Sequence, residues 1–281
     1  MTSRGLFVSL VLVHALLLFP FSTFLAKRPL EVKLGYIPHP QVLKVTVADQ
    51  SLLVAEMAVV KVLFYYGTLV EKFNQKVIVR PEHVNMYRTL VTATQLDPYN
   101  MDAYYFAQAA FTWELKRYAE VNELLEYGIK YRKWDPWLYF YLGFNNSYFL
   151  KDYRKAAGYL MRAAELSPEN SLFTKLAARY FYESGQTDFG LAFLDSMIVQ
   201  SKDKVLTKTY KVRRDALLAV SSIEKAIDAF RGESGRQVKD LDELVRTGFL
   251  ERMPTDPYGG EFYLDQQGRV RSTSKFANPN L

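Results

Sequence analysis

The side chains that most often do chemistry are scarce in this sequence and lie far apart. The chain of 281 residues has no cysteine, which excludes disulfides, thiolate metal sites and cysteine nucleophiles. Its three histidines, His14, His39 and His83, lack the spacing of metal ligands. It contains neither a phosphate-binding glycine loop nor a nucleophile elbow. We therefore expect no metal, no cofactor and no catalytic residue, and a function other than catalysis.

Acidic pairs, which could act as general acid and base, are better explained as helix caps. Asp240 and Asp242 stand where a short helix is predicted to begin, and Glu243 follows Asp240 by three residues, in the capping-box position. Carboxylates stabilise the first turn of a helix. A metal or cofactor bound to the purified protein would reopen the possibility of an enzyme.

One dense basic run, SKDKVLTKTYKVRR at residues 201–214, stands out in a chain whose positive charge is otherwise spread out. The formal net charge is +6, but no nucleic-acid-reading motif accompanies the run, so we expect no nucleic acid as a partner. A solvated helix face is one interpretation, and a surface for anionic lipid or an acidic protein is the other. The candidate basic patch consists of Lys204, Lys208, Lys211, Arg213 and Arg214.

The amino-terminal stretch from residue 5 to residue 26 carries no charge. Because about 20 apolar residues cross a bilayer, this stretch predicts a transmembrane helix that anchors the chain in lipid. A cleaved signal peptide is the alternative, but Phe24 would occupy a position where cleavage favours a small residue. Arg4 on one side and Lys27 and Arg28 on the other give no clean orientation. We expect the bulk of the chain outside the cytoplasm.

A second apolar run lies at residues 51–73, with few charges and a helical period. Most of its circumference is therefore expected to be buried. A second membrane span is the alternative, although Glu56 and Lys61 interrupt the run. By composition we predict four segments: an anchor at 1–27, a juxtamembrane segment and long apolar helix at 28–79, helical repeats at 80–214, and a small α+β module at 215–281.

Proline-marked turns recur through the repeat segment. Pro98, Pro136 and Pro168 stand 38 and 32 residues apart, which brackets a period in the mid-thirties. Such a period is typical of a solenoid, in which each pair of helices buries its apolar face against the next pair. The sequence therefore predicts a mainly α fold, a solenoid of helical hairpins.

One unit of this pattern, residues 138–170, resembles a tetratricopeptide repeat (TPR) over nearly its whole length. Small residues let the two helices of such a unit approach closely, and large neighbours fill the gaps. There is one extra residue in the turn inside the unit. The matching positions are Tyr139, Leu142, Gly143, Tyr153, Ala156, Ala163 and Pro168.

The flanking units match the TPR pattern less closely, and we predict three to four repeats in all. In these units the positions expected to fit the pattern are Ala109, Tyr118, Gly128, Ala178, Gly185 and Gly190.

The TPR resemblance implies a protein-binding surface, since the first helix of each pair lines the concave face in that family. Those helices are rich in aromatic residues here, which predicts an apolar groove for a partner helix or an extended peptide. Any single one of these residues is more simply explained as part of the core, and it is their excess that suggests a groove. Phe140 and Phe144 stand where the carboxylate-gripping subclass has Lys and Asn, which disfavours that mode. The expected groove residues are Phe106, Trp113, Phe140, Phe144, Arg179 and Tyr182.

The carboxyl-terminal segment has a different pattern, with AIDAFRGESGR followed by LDELVRTGFLERMPTDPYGGEFYLD. It predicts a helix, a glycine turn, a short helix and a small hairpin around Gly268. This module resembles the globular end of type II secretion pseudopilins, over about 50 residues. The long pilin helix of that family is absent, and its calcium loop cannot be traced. The resemblance thus implies a borrowed fold.

Together these features predict a membrane-anchored TPR scaffold or adaptor, single-pass in a bacterial inner membrane, with its soluble part in the periplasm. The pseudopilin resemblance points to an envelope machine such as a pilus or a type II secretion system. Its partners would be subunits of a membrane or envelope complex. The alternative is a constitutive structural subunit of a larger membrane complex, such as a transporter or a filament.

Overall fold

Helices make up most of the computed structural model, which describes residues 3–27 and 32–276. Internal contacts divide the chain into residues 1–107 and residues 108–281. A 3-10 turn at Ala48–Gln50 and a π-helix at Ala107–Thr112 supplement the regular elements. These are α1 (Ser3–Lys27), α2 (Pro40–Val47), α3 (Ser51–Asn74), α4 (His83–Leu96), α5 (Met101–Phe106), α6 (Tyr118–Tyr131), α7 (Pro136–Tyr148), α8 (Tyr153–Leu166), α9 (Ser171–Glu183), α10 (Thr187–Gln200), α11 (Lys204–Ser234), α12 (Leu241–Arg246), β1 (Phe262–Leu264) and β2 (Val270–Ser272).

In the first unit, α3 and α4 form a helical hairpin. α3 buries a stripe that includes Ala55, Val59 and Val62, whereas Leu53 and Phe64 on other sides of the helix are more than half exposed. The expectation that most of the circumference of α3 is buried is therefore wrong. α4 packs on one face of α3 and leaves other faces exposed.

By length and composition, the helical stretch Pro40–Asn74 could cross a membrane, a test that core helices of soluble proteins also pass. In α1 the described apolar stretch, Val13–Leu25, is too short to meet the same test. The juxtamembrane segment forms α2 from Pro40 onward, with Pro40 in the first helical turn, where its missing N–H costs nothing.

The second unit stacks α6 to α11 as successive antiparallel helices, each in contact with the next. Four of these helices begin at a short polar capping residue, because a side-chain oxygen of that residue accepts a hydrogen bond from an otherwise unpaired N–H of the first turn. Asp135 caps α7, Asp152 caps α8, Asn170 caps α9 and Asp203 caps α11. These hairpins confirm the predicted TPR-like solenoid.

The turns inside three hairpins share one backbone conformation. Lys116, Lys151 and Gly185 have positive φ values of 54°, 56° and 71°, and they stand 35 and 34 residues apart. The N–H of the next residue donates back to a carbonyl of the preceding helix at 2.8–2.9 Å in each case. The repeat period is therefore visible in the backbone itself, in the mid-thirties as predicted.

The π-helix changes the register of the first repeat. Ala109 was expected to be the small packing residue, but it is exposed, and Ala110 is buried instead. A π-helical turn holds one more residue than an α-helical turn. Every later position therefore moves by about 100° around the helix axis.

The carboxyl-terminal module continues directly from the last long helix. The boundary predicted between residues 214 and 215 falls inside α11, which packs on α10 and also contacts α12 and β2. Gly235 ends α11 in the left-handed conformation, with φ 68°, which glycine adopts without strain. The predicted short helix and hairpin are confirmed: Asp240 caps α12, and β1 pairs antiparallel with β2, Tyr263 opposite Arg271.

Candidate functional site: an aromatic strip on the helical repeats

Five aromatic side chains form a continuous surface feature in the second unit, which we call the aromatic strip. Four of them recur every three to four residues along α7, a spacing that places them on one face of the helix. The fifth follows the π-helix directly. The members of the strip are Trp113, Trp137, Phe140, Phe144 and Tyr148.

The rings of the strip are in contact from one end to the other. The ring centroid of Phe144 lies 5.4 Å from that of Tyr148, and the two rings are stacked. Trp113 lies 5.7 Å from Phe144 and 5.5 Å from Tyr148. Phe140 joins Phe144 at 6.3 Å and Trp137 at 5.7 Å. These separations are those of favourable aromatic pairs.

The strip is open to solvent although it is apolar. Trp113, Trp137 and Tyr148 expose 50%, 46% and 52% of their surface, and the two phenylalanines between them are half-buried. Lys151 places its Nζ atom 5.3 Å from the centre of the Tyr148 ring, at one end of the strip. Contiguous exposed apolar surfaces often mark sites of interaction, which makes the strip the candidate site.

Beneath the strip, buried contacts fix the position of the rings. Phe173 of α9 is fully buried and lies 5.3 Å from Phe140 and 5.6 Å from Trp137. On the other side of α7, the side-chain amide of Asn145 is hydrogen-bonded to Gln108 and Asn122 inside the core. The strip is therefore a preformed surface, which lowers the entropic cost of binding.

Of the six residues expected in the groove, the structure brings three together: Trp113, Phe140 and Phe144. Phe106 belongs to the first unit, where its ring lies 5.3 Å from that of Tyr66. Arg179 is exposed on α9, with its guanidinium 5.9 Å from the Tyr180 ring.

Tyr182 lies mostly in the core, where it contributes to the wall of a separate cavity and not to the strip. It is 7% exposed, its hydroxyl donates to the Val270 carbonyl at 3.1 Å, and its ring lies 4.8 Å from Phe276. Burial raises the pKa of Tyr182 to about 12, against a lowering effect of the Arg271 guanidinium. Tyr182 is buried because β2 covers this end of α9.

Sequence reasoning missed Trp137 and Tyr148 as members of the site. The signal was present: with Phe140 and Phe144 they stand at intervals of three, four and four residues, which is one face of a helix.

The basic patch separates into two parts in the structure. Lys204, Lys208 and Lys211 are exposed and border a shallow cavity of about 380 Å³. Arg213 turns inward and donates to the Phe276 carbonyl at 2.6 Å. Arg214 forms ion pairs with Asp195 and Asp215. The two arginines are thus engaged in contacts within the fold, and the three lysines remain as a charged surface.

A cavity of about 740 Å³ lies between α10, α11 and the hairpin. Glu224 faces it, and burial together with the neighbouring Asp188 and Asp228 carboxylates raises the pKa of this side chain. Arg231 and Arg271 on its wall are already paired with carboxylates. Within residues 3–27 and 32–276, no cluster of three His, Cys, Asp or Glu residues could hold a metal ion.

No protein-family model matches this chain, and no curated protein matches it. A solved structure that resembles it is described as the crystal structure of YrrB, a TPR protein with an unusual peptide-binding site. The two are 16% identical, the match covers 67% of this chain and 90% of the other, and the TM-score is 0.37. At that score the similarity adds nothing to what the helical hairpins themselves show.

Proposed function

We propose that this chain is a membrane-anchored scaffold that binds a segment of another protein along the aromatic strip. The observation that carries the proposal is the strip itself, a continuous row of half-exposed rings on a rigid helix. A partner helix with apolar side chains every third or fourth residue, or an extended peptide, would bury these rings. Large aromatic side chains dominate the binding energy of such surfaces.

The proposed anchor is the uncharged stretch of α1, which would hold the scaffold in a bacterial inner membrane with its repeats in the periplasm. The pseudopilin resemblance within the carboxyl-terminal module supports an envelope machine, a pilus or a type II secretion-like system, as the setting. The helix, glycine turn, short helix and hairpin of that module are the features that support this step.

The test is to replace two rings of the strip and to measure which partner proteins remain bound to the full-length protein during purification. Tagged protein would be purified from its native membrane in mild detergent, as wild type and as the Phe140→Ala/Phe144→Ala variant. Phe189→Ala is the matched control, because Phe189 is 66% exposed on α10 and lies outside the strip. We expect the double variant to lose most of a retained partner, and the control to keep it, with unfolding midpoints measured for all three.

Equal retention by all three proteins, at unaltered stability, would contradict the binding role of the strip. Detergent-extracted protein that migrates only within a larger complex would favour the constitutive-subunit alternative. Pilus or secretion subunits in stoichiometric amounts would support the proposed setting.

A further inference from the structure

The side of α3 that faces away from α4 is apolar over four turns. We call it the α3 outer face and define it by Leu53, Met57, Val60, Leu63 and Phe64, whose exposed fractions run from 42% to 75%. Soluble surfaces rarely expose so many large apolar side chains side by side, so a face of this kind is normally covered.

Three charged residues interrupt or end this face. At about 100° per residue, the outward direction of α3 passes through Leu53, Val60 and Phe64. Glu56 lies on one side of that direction, between Val60 and Leu63, and Lys61 lies at the border on the other side, while Glu71 ends the face at its carboxyl end. Gly67 extends the face by one turn, since there is open space around its Cα. A long basic side chain at such a border can lay its stem on the apolar surface and keep its ammonium group in water.

The opposite side of α3 excludes a simple membrane span. α4 covers it, and the Tyr65 hydroxyl accepts the Glu82 N–H at 2.8 Å. The Glu82 carboxylate in turn accepts the N–H groups of Leu34 and Gly35. If α3 crossed the bilayer, this carboxylate and its polar neighbours would enter hydrocarbon, which is strongly unfavourable. α3 can therefore offer lipid only one face.

The connection to α1 keeps α3 close to any membrane that holds α1. Twelve residues, 28–39, separate the end of α1 from the start of α2, and a chain of that length reaches at most about 43 Å. The exposed side chains described on α1, such as Leu17 and Phe21, are themselves apolar. If α1 lies in a membrane, this short connection keeps the α3 outer face near the same membrane. Lipid is therefore the apolar environment closest to that face.

We propose that the α3 outer face lies in the interface of the same membrane, with the axis of α3 parallel to the bilayer surface. An amphipathic helix in this position buries its apolar face about 5–10 Å into the boundary between headgroups and acyl chains. The inference rests on the proposed anchoring by α1. Its consequence is a second attachment that restricts how far the first unit can move from the membrane.

The absence of cysteine makes a depth measurement direct, because one introduced cysteine takes one nitroxide label. Full-length variants Leu53→Cys and Phe64→Cys would be labelled and reconstituted in phosphatidylcholine–phosphatidylglycerol vesicles. Accessibility of the label to oxygen, which enters lipid, is then compared with accessibility to a water-soluble nickel complex. Both positions are more than half exposed, so the label is expected to leave the fold intact, which circular dichroism would check.

The two α3 labels are expected to favour oxygen over nickel and to give the same depth. A spanning helix would separate their depths by about 16 Å, from 11 residues at about 1.5 Å per residue. Val199→Cys on α10, where the residue is 85% exposed, is the control and is expected to favour nickel. Equal depths in lipid support the proposal, and a difference of about 16 Å overturns it.

A label at Leu17→Cys on α1 separates failure of this inference from failure of the anchor. If the label at residue 17 were exposed to lipid and both α3 labels were exposed to water, the inference about α3 would be wrong. The proposed anchoring by α1 would then still be supported. A water-exposed label at Leu17 would overturn the anchor. If the α3 labels were shielded from both reagents and broadened by labels on neighbouring copies, a second copy of the chain would be what covers the face, and the lipid proposal would be wrong.

Discussion

Gln108 and Asn145 exchange two hydrogen bonds of 2.8 Å between their side-chain amides. Asn145 donates a third, also of 2.8 Å, to Asn122 of α6, and all three residues are buried. Planar amides satisfy one another only in a narrow range of geometry. The cluster therefore fixes the rotation of α7 in the core, and with it the direction in which the aromatic strip faces.

Replacement of Asn145 by alanine is expected to lower the free energy of unfolding by about 2–3 kcal/mol, because it leaves buried polar atoms of Gln108 and Asn122 unpaired. Urea unfolding measures the loss. In a double-mutant cycle with Gln108→Ala, the two changes should cost less together than the sum of their separate effects, since each removes a partner of the other. Strictly additive costs would show that the cluster does not act as a unit.

Gly143 marks the closest approach of α7 to α8. A Cβ atom at this position would lie 2.5 Å from Leu160 Cγ, so Gly143→Ala is expected to destabilise the protein by about 1–3 kcal/mol through overpacking. Gly158→Ala is the matched control, because nothing lies within 4 Å of a Cβ there; it is expected to stabilise α8 by up to about 1 kcal/mol. Thermal unfolding distinguishes the two. Equal effects would contradict the close-packing explanation.

The hairpin architecture could be predicted from the sequence because its signals are local. The prolines set the period, Gly143 with its large neighbours identified the close approach of two helices, and Asp240 with Glu243 identified the start of α12. Each of these depends on residues a few positions apart. The aromatic strip was predicted in part, through Phe140 and Phe144, for the same reason.

What the sequence did not reveal depends on contacts between distant residues. The burial of Tyr182 comes from Val270, 88 residues away. The exposure of Ala109 follows from a π-helix, which leaves no pattern in composition. α11 runs through the predicted boundary, and Arg213 and Arg214 in that stretch contact a carbonyl and a carboxylate of distant residues. These contacts could not be predicted from the local composition on which the boundary was based.

The stability of the carboxyl-terminal module should depend on pH through Glu243. The Arg236 guanidinium and the Lys239 N–H bond to this carboxylate and lower its pKa from 4.5 to about 2. The unfolded chain therefore binds a proton first as the pH falls. The stabilising contribution of the ionised Glu243 carboxylate is complete above about pH 4.5 and is lost between that value and about pH 2.

Glu243→Gln is thus expected to flatten the dependence of unfolding free energy on pH in this window, and to lower stability at neutral pH. The exposed Glu251, as Glu251→Gln, is the control that should leave the slope unchanged. Urea unfolding at about pH 2.5, 3.5, 4.5 and 7 measures both. A slope in the Glu243→Gln variant as steep as in the wild type would show that another carboxylate is responsible.

Tyr182 and Phe144 should respond in opposite ways to substitution, because one lies in the core and the other in the aromatic strip. Tyr182→Phe removes the hydroxyl that donates to the Val270 carbonyl, so we expect a loss of about 1 kcal/mol of stability and unchanged retention of a partner. Phe144→Ala should clearly reduce the amount of partner retained. It should lower the free energy of unfolding only modestly, since the Phe144 ring is only half-buried. Both are measured in the same purification and unfolding assays. If Tyr182→Phe reduced retention of the partner at unaltered stability, the binding surface would extend onto α9. That result would favour the groove predicted from the sequence over the aromatic strip.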